Sequence, residues 1–233
     1  MGLADTNIQN TPLYPLVNAS RYLRISLGTM QSWLRGRSYM TKNGQQFSQP
    51  LIQRPHKDFS QLSFTNLVEA HVLRVIRQDH NIRLDKVRTA LDYISKEFNT
   101  LHPLAQIEFQ TDGVELFVET IEHLVNVSRA GQLAMKDVLK HLLTRIKWDE
   151  HGFATRLFPI IHSPKGEEIG NLLYIDPRIS FGRPTIAGTG IPTDVIADLY
   201  NAGDEIEAIA DDYNCTPSQV YAAICFETSY SAA

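Results

Sequence analysis

Residues 175–196 read IDPRISFGRPTIAGTGIPTDVI, and this stretch determines how the C-terminal part of the chain folds. Its glycines and prolines are Gly182, Gly188 and Gly190 together with Pro177, Pro184 and Pro192. Glycine permits a positive φ and proline holds φ near about −65°, so this density indicates a series of fixed turns. Apolar residues recur between the turns, at Ile175, Ile179, Ile186, Ile191 and Ile196. A solvated linker does not need this pattern, and we therefore predict a small packed module.

Two helices are predicted after this stretch. Residues 205–213 (EIEAIADDY) place apolar side chains on one helical face, at Ile206, Ile209, Ala210 and Tyr213. Thr216 and Pro217 then form a helix start, because a hydroxyl side chain caps a helix and proline is favoured at its first position. The inner face of the second helix is predicted to carry Val220, Ala223, Ile224 and Phe226. A helix, a tight turn and a capped helix are typical of a helix-turn-helix.

The motif GRPTIAGTGIPT followed by this helical pair resembles a small domain of unknown function. That domain occurs in VapB-type antitoxins whose partners are PIN-like ribonuclease toxins. The resemblance covers about residues 172–228, and the family's usual Gly-Thr-Arg-Ile is Gly-Thr-Gly-Ile here. It implies that a module spanning residues 170–228 binds and neutralises such a toxin.

A second helix pair is predicted near the start of the chain, where residues 14–39 read YPLVNASRYLRISLGTMQSWLRGRSY. Asn18 or Ser20 is a candidate cap for the first helix, and Thr29 is the predicted cap of the second helix. Met30, Trp33 and Leu34 are expected to point inward. The outward side chains are glutamine, serine and arginine, which read base edges or hold phosphates. The alternative is an ordinary helical hairpin whose polar face is only hydrated.

A hairpin is predicted directly after this pair. Asn43-Gly44 is a strong two-residue turn signal, with Tyr39 and Phe47 as strand residues around it and Lys42 beside the tip. Two long helices, residues 64–77 and 84–98, are predicted to follow. This order resembles the MerR-type winged helix over about residues 13–98, although the usual C-terminal sensor domain or metal-binding cysteines have no counterpart here. The candidate DNA-binding residues are Thr29, Gln31, Ser32, Arg35, Arg37 and Lys42.

The central segment, residues 104–162, is predicted to be a small α/β unit for dimerisation or spacing. Ile107 and Phe109 alternate with polar residues before Asp112-Gly113, and apolar residues alternate again through Val118, which is typical of a β-hairpin. A third strand is predicted at residues 124–127, a helix at 135–146 and a strand at 153–161. His71, on the apolar face of the preceding long helix, is interpreted as a hydrogen-bonded core residue and not as a ligand.

The charge is distributed unevenly along the 233 residues, whose net charge is −4. Residues 1–60 contain seven Lys/Arg and two Asp/Glu, whereas residues 170–233 contain two Lys/Arg and nine Asp/Glu. A basic start and an acidic end indicate two different partners, a polyanion and a basic protein surface. The candidate toxin-binding residues are Arg183, Asp204, Glu205, Glu207, Asp211 and Asp212. For Arg183 the alternative is an internal ion pair with Asp176 or Asp194.

No motif predicts an enzyme. The eight histidines show no HExxH spacing, and Asp211-Asp212 is interpreted as a solvated acidic face because adjacent helical residues point in different directions. We expect no catalytic residues, no metal and no cofactor. Two cysteines without a CxxC pair, and no apolar run long enough for a membrane span, favour a cytoplasmic protein that does not bind membranes.

The sequence thus predicts an α+β fold that is mainly α. It comprises an N-terminal winged helix-turn-helix, a central small α/β segment and a C-terminal helix-turn-helix-like module. The predicted function is the antitoxin of a type II toxin–antitoxin pair, a homodimer that binds a PIN-like ribonuclease toxin and represses its own operator DNA. The alternative is a free-standing transcription regulator with two DNA-binding modules and no toxin.

Overall fold

The computed structural model describes residues 8–42, 44–56, 61–80, 82–125 and 128–228. The fold is mainly α with small sheets, as predicted. Among the described residues, the strands pair in antiparallel two-stranded sheets, and one hydrophobic core runs from the N-terminal helices to the last helix.

The N-terminal helix pair consists of α1 (Leu16–Leu23) and α2 (Leu27–Arg35). Met30, Trp33 and Leu34 are buried, as predicted. The predicted caps are wrong, because Asn18 and Ser20 lie inside α1, and the N-cap of α2 is Ser26. The Ser26 Oγ accepts a hydrogen bond from the Thr29 backbone N–H at 3.3 Å, which satisfies one of the N–H groups that have no partner at a helix start.

The predicted hairpin follows α2 directly. β1 (Arg37–Thr41) pairs with β2 (Gly44–Ser48), and Asn43 of the predicted turn lies outside the described residues. Gly36 joins α2 to β1 at φ +73°, and a Cβ atom there would lie 2.2 Å from the Ser48 carbonyl oxygen. Because only glycine tolerates both the dihedral and the contact, this position fixes the hairpin relative to α2.

The long helices α3 (Phe64–His80) and α4 (Leu84–Glu97) are confirmed. Residues 62–73 are all buried, so α3 lies at the centre of the fold, where it contacts α1 and, in the central segment, the helix at residues 129–143. His71 is a core residue, as interpreted, but it is not hydrogen-bonded to any described residue.

The central segment contains helices where a β-hairpin was predicted. A π-helical turn (Phe109–Gly113) leads into α5 (Val114–Val125), which is followed by α6 (Arg129–Leu143). The predicted strands on both sides of Asp112-Gly113 are therefore wrong, and so is the strand at residues 124–127 over its described part. Gly113 serves close packing and not a turn, since a Cβ there would lie 2.8 Å from the Phe109 ring.

Short strands complete the central segment. β3 (Ile146–Trp148) pairs with β4 (Ala154–Leu157), and β5 (Ile161–His162) pairs with β6 (Glu168–Ile169). The predicted strand at residues 153–161 is thus confirmed only over β4 and the first residue of β5. Ile146, the predicted last residue of a helix, begins β3 instead.

The C-terminal module begins with the hairpin β7 (Leu173–Tyr174) and β8 (Thr185–Ile186). It continues as α7 (Thr193–Ala202), α8 (Ile206–Asp212) and α9 (Pro217–Thr228), of which α8 and α9 are the predicted helix pair. Thr216 caps α9 as predicted, because its Oγ1 accepts a hydrogen bond from the Gln219 N–H at 3.2 Å.

The N-terminal helix pair and the C-terminal module pack against each other. The Arg24 guanidinium donates to the Phe226 carbonyl oxygen at 2.9 Å, at the C-terminal end of α9 where a cation is favoured. Tyr22 contacts the Phe226 ring with centroids 6.2 Å apart, and Arg21 pairs with Glu227 at 3.3 Å. The surfaces described below are therefore held by one continuous core.

Candidate functional site

The outward face of α2 forms the centre of the candidate DNA surface. Gln31 and Arg35 are exposed and Ser32 is half-buried, so the helix presents three of the predicted residues on one face. Thr29 is exposed in the first turn, but its Oγ1 accepts a hydrogen bond from the Ser26 Oγ at 2.9 Å. The Thr29 side chain thus takes part in the capping of α2.

The hairpin supplies the remaining predicted residues. Arg37 is exposed where β1 begins, beside the end of α2, and Lys42 is exposed in the turn at the opposite end of the strand. A five-residue strand separates these two cations by about 17 Å. Arg35, Arg37 and Lys42 make no ion pair with any residue that the structure describes, so their charges face solvent.

A second group of arginines lies beside the hairpin. A shallow cleft of about 310 Å³ is lined by Arg37, Tyr39, Ser48, Arg77, Arg83, Leu84 and Asp85. Arg88 fixes α4 to the hairpin, because its guanidinium donates to the Ser48 Oγ at 3.2 Å. Nothing in the sequence indicates this group, because only the tertiary fold brings residues 37 and 83 together. Arg83 is paired with Asp85 at 3.0 Å, so Arg77 is the residue that adds positive charge to Arg37 in this cleft.

The acidic candidate residues lie on the surface of the C-terminal module. Asp204, Glu205, Glu207, Asp211 and Asp212 are all exposed, on α8 and in the loop before it. Within the described part of the chain, none of them forms an ion pair. They therefore form an uncompensated negative surface, which we call the acidic surface.

Arg183 makes an internal ion pair. Its Nη1 lies 3.2 Å from the Asp194 Oδ2, and both side chains are about half exposed. Asp194 is thus the internal partner, while Asp176 is buried and binds Arg178 at 2.7 Å. Burial alone would raise the pKa of Asp176, but hydrogen bonds from the Arg178 side chain and backbone outweigh it and lower the pKa below its usual value. The Arg183–Asp194 pair is solvent-screened and contributes little to stability.

Phe181 is a further candidate that the sequence analysis missed. Its side chain is 86% exposed, although it lies in the GRP loop, which we define as residues 180–184. The sequence predicts turns and one candidate residue, Arg183, in this loop, and no periodicity distinguishes an inward from an outward residue there.

The second helix of the C-terminal pair has little free surface. In α9 the residues Val220, Ala222, Ala223, Ile224, Cys225 and Phe226 are buried. A recognition helix must expose one face to enter the major groove. The contacts of α9 with α7, α8 and β5 leave Pro217, Ser218, Tyr221 and Thr228 as its exposed residues.

Two kinds of site are absent from the described residues. No group of three or more His, Cys, Asp or Glu side chains there is arranged to hold a metal ion. None of the described helices has both the length and the apolar character that crossing a membrane requires.

Comparison with known proteins matches both ends of the chain to domain families. Residues 174–226 match the family described as "Protein of unknown function (DUF433)", and residues 12–91 match the "Putative DNA-binding HTH domain". The chain is 29% identical to the "Putative antitoxin VapB45" of Mycobacterium tuberculosis over 92% of this chain and 93% of that protein. The chain resembles VapB-type antitoxins along nearly its whole length.

A second relative and a solved structure are similar to this chain over most of its length. The "Uncharacterized protein Rv2308" of Mycobacterium tuberculosis is 22% identical over 99% of this chain and 96% of that protein. The crystal structure of Rv2018 from Mycobacterium tuberculosis superposes with a TM-score of 0.65 at 23% identity, covering 92% of this chain and 98% of that one. At this identity the superposition supports the fold alone.

Proposed function

We propose that this chain is the antitoxin of a type II toxin–antitoxin pair. It binds and neutralises a PIN-like ribonuclease toxin, and as a cytoplasmic homodimer it binds operator DNA and represses its own operon. It is a binding protein and not an enzyme. The observation that carries the proposal is the separation of charge between two surfaces of one core. The first is the positive surface formed by α2 and the β1–β2 hairpin, and the second is the acidic surface.

The DNA half of the proposal rests on α2 and the hairpin. The exposed face of α2 enters the major groove, where Gln31, Ser32 and Arg35 reach base edges. Lys42 follows the phosphate backbone from the hairpin tip, and Arg37 holds a phosphate near the end of α2. These cations are exposed and have no ion-pair partner among the described residues, so binding DNA breaks no internal pair that the structure describes.

The toxin half of the proposal rests on the C-terminal module. A ribonuclease presents a cationic surface to RNA, and the five carboxylates of the acidic surface offer it a competing partner. Arg183 is placed to meet a carboxylate of the toxin, since its Nη2 makes no hydrogen bond with a described residue. A second DNA reader in this module is disfavoured by the burial of α9 and by the repulsion between these carboxylates and phosphates.

Replacing Arg35 with alanine should weaken operator binding by about 1–3 kcal/mol, with the loss concentrated at one base position. Lys42→Ala should weaken binding to all sequences alike and reduce the salt slope by roughly one phosphate. Gel shifts of the full chain across a salt series measure both effects. Lys165→Ala is the matched control, because Lys165 is an exposed cation in the β5–β6 turn. An Arg35→Ala variant with unchanged affinity would exclude α2 as the reading helix.

Neutralising the acidic surface should slow association with the toxin. Changing Asp204, Glu205, Glu207, Asp211 and Asp212 to their amides should lower the association rate by about tenfold or more at low salt, with little effect at high salt. The measurement combines stopped-flow association with growth rescue in cells that co-express a PIN-like ribonuclease. Amide substitutions at Glu97 and Glu108, which are exposed outside the C-terminal module, provide the control. If the unaltered chain neither binds nor rescues, the antitoxin function is refuted.

A further inference from the structure

Phe181 contributes nothing to the core that surrounds it. At 86% exposure it is the most exposed large apolar side chain in the described part of the molecule. The neighbouring Gly182 and Pro184 are buried, so the backbone of the GRP loop is embedded while the ring projects outward. A single exposed apolar side chain is ordinary on a protein surface, so the backbone conformation that displays the ring carries the argument.

The backbone of the loop holds Phe181 in a strained conformation. Ser180, Phe181 and Gly182 have φ values of 48°, 56° and 72°, all in the left-handed region. For a bulky residue this conformation is a genuine outlier, and it persists only where the surroundings enforce it. Strain of this kind concentrates at functional sites.

Two contacts enforce the conformation. The Ser180 Oγ donates a 2.7 Å hydrogen bond to the Gly190 carbonyl oxygen, which ties the loop to the second turn of the module. Gly182 lies against Leu13 and Tyr14, which precede α1. A Cβ atom on residue 182 would be 2.5 Å from the Tyr14 hydroxyl and 2.7 Å from the Leu13 side chain. The backbone that carries the ring is therefore preorganised, and a partner that buries the ring has to order only its side-chain torsions.

The charges beside Phe181 differ from those of the rest of the module. Arg178 and Arg183 are the only Lys/Arg residues in 170–233, and they lie three residues before and two residues after the ring in sequence. Their side chains are 52% and 44% exposed. Arg178 is paired with Asp176 and Arg183 with Asp194, so the surroundings of the ring are close to neutral and not strongly acidic. A partner that fits this arrangement has an apolar pocket for the ring and an acceptor at its rim for the remaining N–H groups of Arg183.

We propose that Phe181 is the anchor by which the C-terminal module docks on its protein partner, with the ring in an apolar pocket and Arg183 facing a carboxylate at the pocket rim. The identity of the partner rests on the proposed function, which makes it the PIN-like ribonuclease. The acidic surface draws the two proteins together, and the anchor determines how long they stay bound.

The test compares Phe181→Ala and Phe181→Gly with Leu101→Ala in the full chain. Leu101 is 67% exposed and lies outside both surfaces, so it is the matched control. Against the purified ribonuclease, both Phe181 variants should bind at least about 30-fold more weakly, mostly through faster dissociation, as for an aromatic hot spot. Leu101→Ala should bind like the unaltered chain. Phe181→Gly should melt at the same temperature as the unaltered chain or higher, because glycine relieves the left-handed strain.

A second variant reports burial of the ring directly. Phe181→Trp should retain binding, and its emission should shift to the blue when the ribonuclease is added, whereas Leu101→Trp should not shift. Unchanged affinity of Phe181→Ala, or no spectral shift in a Phe181→Trp variant that binds, would overturn the anchor. Failure of the unaltered chain to bind the ribonuclease would instead refute the proposed function.

Discussion

Replacing Phe226 with alanine should lower the free energy of unfolding by about 3–5 kcal/mol, because the substitution opens a cavity in a fully packed region. Phe226 is 2% exposed and lies where α9 meets α1. Its ring contacts Tyr22 and lies beneath the Arg24 guanidinium, whose Cζ is 5.6 Å from the ring centroid. The substitution therefore removes the apolar contacts that Phe226 makes with Tyr22 and Arg24, where the two ends of the chain pack together.

Urea unfolding at neutral pH measures this loss. Phe153→Ala is the control, since Phe153 is 37% exposed and should cost far less. At urea concentrations where the unaltered chain remains folded, the Phe226→Ala chain should also lose operator affinity, although residue 226 is far from α2 in sequence. A loss below about 1 kcal/mol would mean that the junction is not part of the core.

Acidification should destabilise the protein through His71. Burial, reinforced by the positive charges of Arg74 and Arg145, lowers the pKa of His71 to about 3. The unfolded chain, whose histidine pKa is about 6.5, takes up a proton first as the pH falls. Stability is therefore lost from about pH 6.5 downward, at roughly 1.4 kcal/mol per pH unit, so about 2 kcal/mol is lost by pH 5.

The His71→Met variant isolates this contribution. Neither ring nitrogen of His71 has a hydrogen-bond partner among the described residues, so methionine should be neutral or stabilising at pH 7. The difference in unfolding free energy between the two proteins should change by about 2 kcal/mol between pH 7 and pH 5. Parallel stability curves would contradict the depressed pKa of His71.

The parts of the fold that could be predicted from sequence are those with local signals. α8 and α9 follow from helical periodicity and from the Thr216-Pro217 start, and the hairpin follows from its Gly44 turn. The N-terminal pair was correctly predicted for the same reason. Its N-caps were not predicted, because several serine, threonine and asparagine residues lie near the two helix starts. Only the backbone conformation shows that α1 begins after Pro15 and that Ser26 caps α2.

The central segment could not be predicted because two periodicities coincide there. Val114, Leu116 and Val118 alternate as in a strand, but Val114, Phe117, Val118 and Ile121 also follow the helical spacing that the structure buries. Asp112-Gly113 favoured a turn, whereas the tertiary packing of Phe109 requires a glycine at 113 inside a helix. Tertiary contacts thus override a local turn signal.

The candidate site residues that could be predicted from sequence are likewise those with a local pattern. Gln31, Arg35 and the acidic residues were found from sequence, since helical periodicity separates outward from inward positions. Arg83, Arg88 and Phe181 were missed, because their positions depend on contacts between distant segments or on a loop backbone without periodicity.

The junction between α1 and α9 also constrains how the protein is made. Arg24 and the carbonyl it binds are separated by 202 residues, so the contact cannot form until synthesis has passed α9. At a synthesis rate of roughly 5–20 residues per second, the face of α1 that α9 later covers stays exposed for about 10–40 s. During this interval the apolar face of Tyr22 is exposed to other chains. We expect prematurely terminated chains to aggregate, so that only completed molecules hold α1 and α2 in their packed arrangement.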